Sequence, residues 1–182
     1  MKTNLVINPS DEFIKKSDEF TNLFVDRYIY DQCKIKRSTD KFISTRLDSD
    51  YRIKNFNLLN SLFYEIIECI QIELNSIFEK NFNQKFYEIV VGSWLRKFVQ
   101  QFIFKYKNII EIKNSSIIHS AKIYKSKNFN FFTSETQTIQ DATNNNLWNS
   151  CIYSHILNNL DFNIELNIAD PPVTNFDDSN FL

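Results

Sequence analysis

The sequence predicts an α/β fold: a small sheet with a long antiparallel helical hairpin, about residues 58–110, and further short helices. Three observations predict it. Near the N-terminus, short runs of branched and aromatic residues alternate with turn signals, a strand, helix, strand order that favours an α/β unit. The middle of the chain carries two long patterns of helical period. Beyond Asn114 the pattern shortens to strand-like segments such as "SSIIHSAKIY".

Taken in order, Asn4 to Ile7 is the first strand, broken by the turn "NPSD". Ser10 or Asp11 is placed to cap a short helix, because a side-chain oxygen there accepts from the helix's free N–H groups. "SDEF" occurs at Ser10 and again at Ser17; two such short matches make no repeat architecture. "FTNLFVDRYIYD" reads as a second strand. Residues 34–57 read as a polar loop with one short strand at Lys41 to Thr45.

The clearest element follows, "LLNSLFYEIIECIQIELNSIFEKNF". Leu59, Leu62, Phe63, Ile66, Ile67, Ile70, Leu74 and Ile77 share one helix face, with Glu65, Glu68, Gln71, Asn75 and Glu79 opposite. Asn81 and Asn83 mark a turn. In the second helix Tyr87, Val90, Val91, Trp94, Leu95, Phe98, Phe102, Tyr106 and Ile109 share a face. Helices joined by a few residues pack antiparallel. Folding about Asn83 sets Gly92 against Glu73 and Leu74.

Gly92 is the only glycine in the chain. Inside a helix it costs about 1 kcal/mol relative to Ala. The simpler expectation is that it lets two backbones approach, with Trp94 packed beside it. The alternative is a helix that starts at Ser93, whose free N–H groups, with Ser93 and Arg96, bind a phosphate or sugar-phosphate. Glu73 interrupts the first helix's apolar stripe. It either turns outward or pairs with Arg96 or Lys97, the leading reading, or it is a desolvated carboxylate with a raised pKa.

In the last third, "NFNFFTSET" reads as extended and a helix is expected from about Asn145 to Leu157. "FNIELNI" is a last strand. Residues 1–168 are expected to form a single domain, and 169–182, acidic with a double proline, a flexible tail.

With 182 residues, 43% hydrophobic and 15% aromatic, the chain can bury a core. Its 21 Lys and Arg against 22 Asp and Glu give a net charge of −1, which provides no basic stripe for nucleic acid. Lys34, Lys36 and Arg37, and Lys122, Lys125 and Lys127, read as solvated clusters. The frequent Asn and Ile read as the bias of an AT-rich genome. Cys33, Cys69 and Cys151 are odd in number and far apart, unlike a disulfide framework or a zinc site. The apolar run before Asn8 is too short for a signal peptide, and no run approaches the roughly 20 residues of a membrane helix. A cytoplasmic location with reduced thiols is expected.

One glycine excludes the dinucleotide and Walker phosphate loops, and no G-x-S-x-G elbow occurs. Cys151 and His155 are four residues apart, so a nucleophile pair on one helix face is one reading. A buried Cys beside a surface His is the simpler one. Asp48 and Asp50 suit a cation or acid–base pair, or are simply solvated. No metal site and no cofactor are expected.

The order of motifs resembles the N-terminal part of a family of bacterial transferases from O-antigen and other surface-polysaccharide gene regions. The resemblance rests on "NPSDEF", "LLNSLFYEII", "FYEIVVGSWLRKFVQQFIFKY" and "NNNLWNSCIYSHIL", over roughly Asn4 to Leu160. The family's Gly-Pro-Trp-Leu stands here as Gly92-Ser93-Trp94-Leu95, and its Trp-Asn-His as Trp148-Asn149-Ser150. The resemblance implies a glycosyltransferase-like domain of the acceptor side, its nucleotide-sugar half supplied by a second chain. The residues expected to bind a carbohydrate or sugar-phosphate are Gly92, Ser93, Trp94, Arg96, Trp148 and Asn149; no catalytic residue is assigned. Two other readings stand beside it. One is a non-catalytic interaction module or truncated remnant. The other is a small enzyme using Glu73, Asp48 or the Cys151/His155 pair.

Overall fold

A computed structural model describes residues 1–43, 49–125 and 142–172 of the protein. They are a mixed α/β structure with five strands and four α-helices. The strands are β1 (Lys2–Val6), β2 (Phe20–Phe24), β3 (Lys41–Phe42), β4 (Ser120–Tyr124) and β5 (Glu165–Ala169). The helices are α1 (Arg27–Gln32), α2 (Ser49–Phe78), α3 (Gln84–Ser115) and α4 (Asn146–Asn159), with a 3-10 turn at Asp11–Phe13. The described residues group into two compact units, one of 1–43, 105–125 and 142–172, the other of 49–104.

The first unit is built on one sheet in the order β3-β2-β1-β4-β5. Every pairing is parallel: Leu5 lies against Leu23 on one side and Ala121 on the other, and Ile123 against Ile168. Parallel strands are covered on both faces, so they read as continuous rather than alternating apolar runs. The last three residues of β1 and of β2 are accordingly all buried. The core gathers Leu5, Val6, Phe24, Ile123, Trp148 and Leu157.

Two buried asparagines in central strands turn out to be structural. Asn4 Nδ2 donates to Phe13 O at 3.0 Å and to Asn22 Oδ1 at 3.2 Å. Asn22 Nδ2 donates to Lys15 O and Asp40 Oδ1, and Arg37 closes the group by pairing with Asp40. Buried polar groups need such partners. These hold the short β1–β2 connection against the sheet, so the asparagines there are not mere compositional bias.

Several boundaries differ from expectation. The second half of "FTNLFVDRYIYD" is helix α1, because Asp26 caps it: its carboxylate accepts from Ile29 N at 2.8 Å. The stretch 34–57, expected as loop, already contains the start of α2 at Ser49. Lys54 and Asn57 there are exposed, and a solvated helical turn has no apolar stripe to betray it. "NFNFFTSET" and most of the acidic tail lie outside the described residues.

The second unit packs α2 on the part of α3 up to Phe104. Its core is Phe63, Ile67, Tyr87, Leu95, Val99 and Ile103. Asn75 joins the two helices: it accepts from Phe82 N and Tyr87 Oη and donates to Phe82 O at 2.8 Å. Asn83 Oδ1 accepts from Phe86 N at the start of α3. Gly92 faces the ring of Phe63, not Glu73 and Leu74; a Cβ built on it would lie 3.4 Å from Phe63 Cζ. The close approach is thus backbone to side chain. Glu73 is exposed, consistent with the outward reading.

Candidate functional site

In an all-parallel sheet, ligands bind outside the carboxyl ends of the strands, where the strand order reverses. Here the order reverses between β1 and β4. The chain leaving β1 runs through Asn8 and Pro9, and the first turns of α4 pack against it. Asn8 Nδ2 donates to Ser150 Oγ at 2.8 Å, and Ser150 Oγ lies 2.9 Å from Ile7 O. Ser154 Oγ accepts from Tyr124 N at the end of β4. Two small hydroxyl residues one turn apart thereby dock α4 onto both strands of the reversal.

Asn145 caps α4, its side chain accepting from Leu147 N and Trp148 N. Trp148 is buried, and Asn149 donates from Nδ2 to Thr143 O at 2.8 Å. The buried oxygens Asn149 Oδ1 and Asn146 Oδ1 have no hydrogen-bond partner among the described residues. Beyond β2, Asp26 Oδ2 accepts from Tyr153 Oη at 2.9 Å, and Asn108 Nδ2 approaches the same phenol at 3.4 Å. Burial, then the Asp26 charge, push the Tyr153 phenol well above its usual value. Lys105 Nζ lies 5.6 Å from the Tyr153 ring centre and 5.9 Å from that of Trp148. Burial lowers its pKa to about 8, and Asp26 partly opposes that.

A family model described as LIC12162 family transferase matches residues 3–180. The chain belongs to this family. No curated protein and no solved structure matches it.

The residues expected to bind ligand divide between the two units of this LIC12162 family member. Trp148 and Asn149 fall in the first turn of α4, beside the cluster just described. Gly92, Ser93, Trp94 and Arg96 fall in the helical unit. Gly92, Ser93 and Arg96 line a hollow of about 370 Å³ with Phe63, Lys85, Glu88 and Ile89. Arg96 stacks on Phe63, 3.9 Å from the ring centre, and donates to Asn60 Oδ1 at 2.9 Å; Trp94 stacks on Phe98. The phosphate reading of Ser93 needed a helix beginning there, but α3 begins at Gln84, so the N–H groups at Ser93 lie inside a helix.

Cys151 is buried and His155 is exposed. Burial pushes the Cys151 thiol up to about 12, far from a thiolate. Asp48 lies outside the described residues. Among the described residues no cluster of His, Cys, Asp or Glu is arranged to hold a metal ion, and no helix is long and apolar enough to cross a membrane.

Lys105, Asp26, Asn108 and Tyr153 went unnoticed in the sequence. Lys105 had a signal: a charge inside the apolar run Phe102 to Tyr106, the same kind of interruption that drew attention to Glu73. Asp26 and Tyr153, 127 positions apart, had none, since only the sheet brings them together.

Proposed function

We propose that the chain is a glycosyltransferase-like transferase domain acting in surface-polysaccharide or O-antigen synthesis in the cytoplasm. On this reading it works with a second chain that carries the donor-binding half. The observation that carries it is the reversal of a parallel sheet at β1 and β4, with α4 docked there through Ser150 and Ser154. Fold alone does not give function. The transferase assignment comes from the family, and the site from Trp148, Asn149 and the Lys105 cluster. The hollow at Gly92, Ser93 and Arg96 is, in this reading, a second carbohydrate-contacting surface.

Two further points support parts of it. The contacts Asn60–Arg96, Phe63–Gly92 and Asn75–Tyr87 run in opposite directions along α2 and α3, as an antiparallel hairpin requires. Ile72, Ile77, Phe78, Ile89 and Val90 of the helical unit are each 60% or more exposed, an apolar surface suited to a partner chain.

Calorimetric titration of the purified chain with nucleotide-sugars and acceptor glycans tests the proposal. Glycan binding without donor binding is the expected result. Silence toward both, with and without candidate partner chains, would refute it.

A further inference from the structure

We propose that Lys105 is the anion anchor of this site, holding a phosphate or diphosphate oxygen of the acceptor substrate beside Trp148 and Tyr153, while Asn149 Oδ1 accepts from one of the same ligand's hydroxyls. The proposal rests on the reading that substrate binds at the carboxyl end of the sheet.

Lys105 is only 5% exposed. A buried cation is costly unless it is paired. Among the described residues Lys105 has neither a carboxylate within 4 Å nor a hydrogen-bond acceptor; its contacts are the two aromatic rings. Ring faces compensate a cation only in part. The carboxylate whose field reaches it, Asp26, is taken up by Tyr153 Oη and Ile29 N. The three ammonium donors therefore remain available for a ligand.

A second observation points the same way. Asn149 is also 5% exposed, and its Oδ1 has no partner among the described residues. It stands one helical turn before Tyr153, on the same face of α4. An unused cation beside the Trp148 and Tyr153 rings and an unused acceptor on the face of α4 that carries Tyr153 call for a ligand with both an anion and hydroxyl donors, which a sugar-phosphate supplies.

The test is calorimetry of the full chain with inorganic pyrophosphate and with glucose 1-phosphate. Lys105→Met is expected to weaken both by at least about tenfold. Asn149→Ala is expected to weaken glucose 1-phosphate and leave pyrophosphate unchanged. Should Lys105→Met not fold, acylation of the native chain by acetic anhydride, read by mass spectrometry, replaces it. Pyrophosphate is then expected to protect Lys105 and no other lysine. Unchanged affinity in Lys105→Met, no pyrophosphate binding by the wild-type chain, or no protection of Lys105 overturns the anchor. An unchanged glucose 1-phosphate affinity in Asn149→Ala overturns the hydroxyl contact. Because pyrophosphate carries no sugar, these results are separable from the donor and acceptor titration: the anchor can stand while glycosyl transfer falls, and the reverse.

Discussion

Replacing Gly92 with alanine tests how the two long helices meet. Inside α3, alanine gains about 0.8–1.0 kcal/mol of helix propensity over glycine. The opposing term is steric. The new methyl would stand 3.4 Å from Phe63 Cζ and 3.9 Å from Phe63 Cε2, the near edge of ordinary van der Waals contact. Phe63 has little freedom to retreat, since it is 1% exposed and Arg96 covers its face at 3.9 Å. A methyl fits and a larger group does not. Gly92→Ala is therefore expected to stabilise the chain by about 0.5–1 kcal/mol, roughly 2–4 °C in Tm per kcal/mol for a chain of this size. Gly92→Leu is expected to destabilise it by about 1–3 kcal/mol through overpacking. Urea denaturation of the three proteins reads both numbers. A loss of more than about 1 kcal/mol in Gly92→Ala would refute the reasoning, because it would mean the crossing admits no methyl at all.

Other predictions concern the sheet unit. Lys105 falls from 10.5 in the unfolded chain to about 8 when folded. Between those values the unfolded chain holds a proton that the folded chain has released, so stability rises with pH there. The gain is about 2 kcal/mol between pH 7 and 9.5. Cys151, held up to about 12, opposes it as pH rises past about 8, so urea denaturation across that range should show the gain as the difference between the wild-type chain and Lys105→Met, which should also be the more stable protein at pH 7. Tyr153→Phe removes the phenol that donates to Asp26 and is expected to cost about 1–3 kcal/mol, read by the same assay. Iodoacetamide at pH 8 should alkylate exposed Cys69 first, with buried Cys33 and Cys151 reacting only in denaturant; early alkylation of Cys151 would contradict its burial.

The sequence by itself determined the α/β class, four of the strands to within a few residues, and the helix that carries Trp148 and Asn149. Those signals are local: a run of branched residues before "NPSD", a helical period, an asparagine ahead of an apolar segment. It also made Trp148 and Asn149 candidates, through the order of motifs. It misread α1 as strand, because aromatic and branched residues in "RYIY" favour strands and the decisive cap, Asp26, acts through one side-chain hydrogen bond. It overlooked the start of α2, where exposed side chains such as Lys54 and Asn57 follow no apolar stripe. What only the tertiary structure decided is which residues meet. Strand order β3-β2-β1-β4-β5 depends on pairings between segments more than a hundred residues apart, such as Asn4 with Ser120. That order brings Asp26 to Tyr153 and, with α3, sets Lys105 against Trp148. It also gives Gly92 its neighbour. A glycine in a helix announces that something is close, but sequence spacing named Leu74 where packing placed the ring of Phe63.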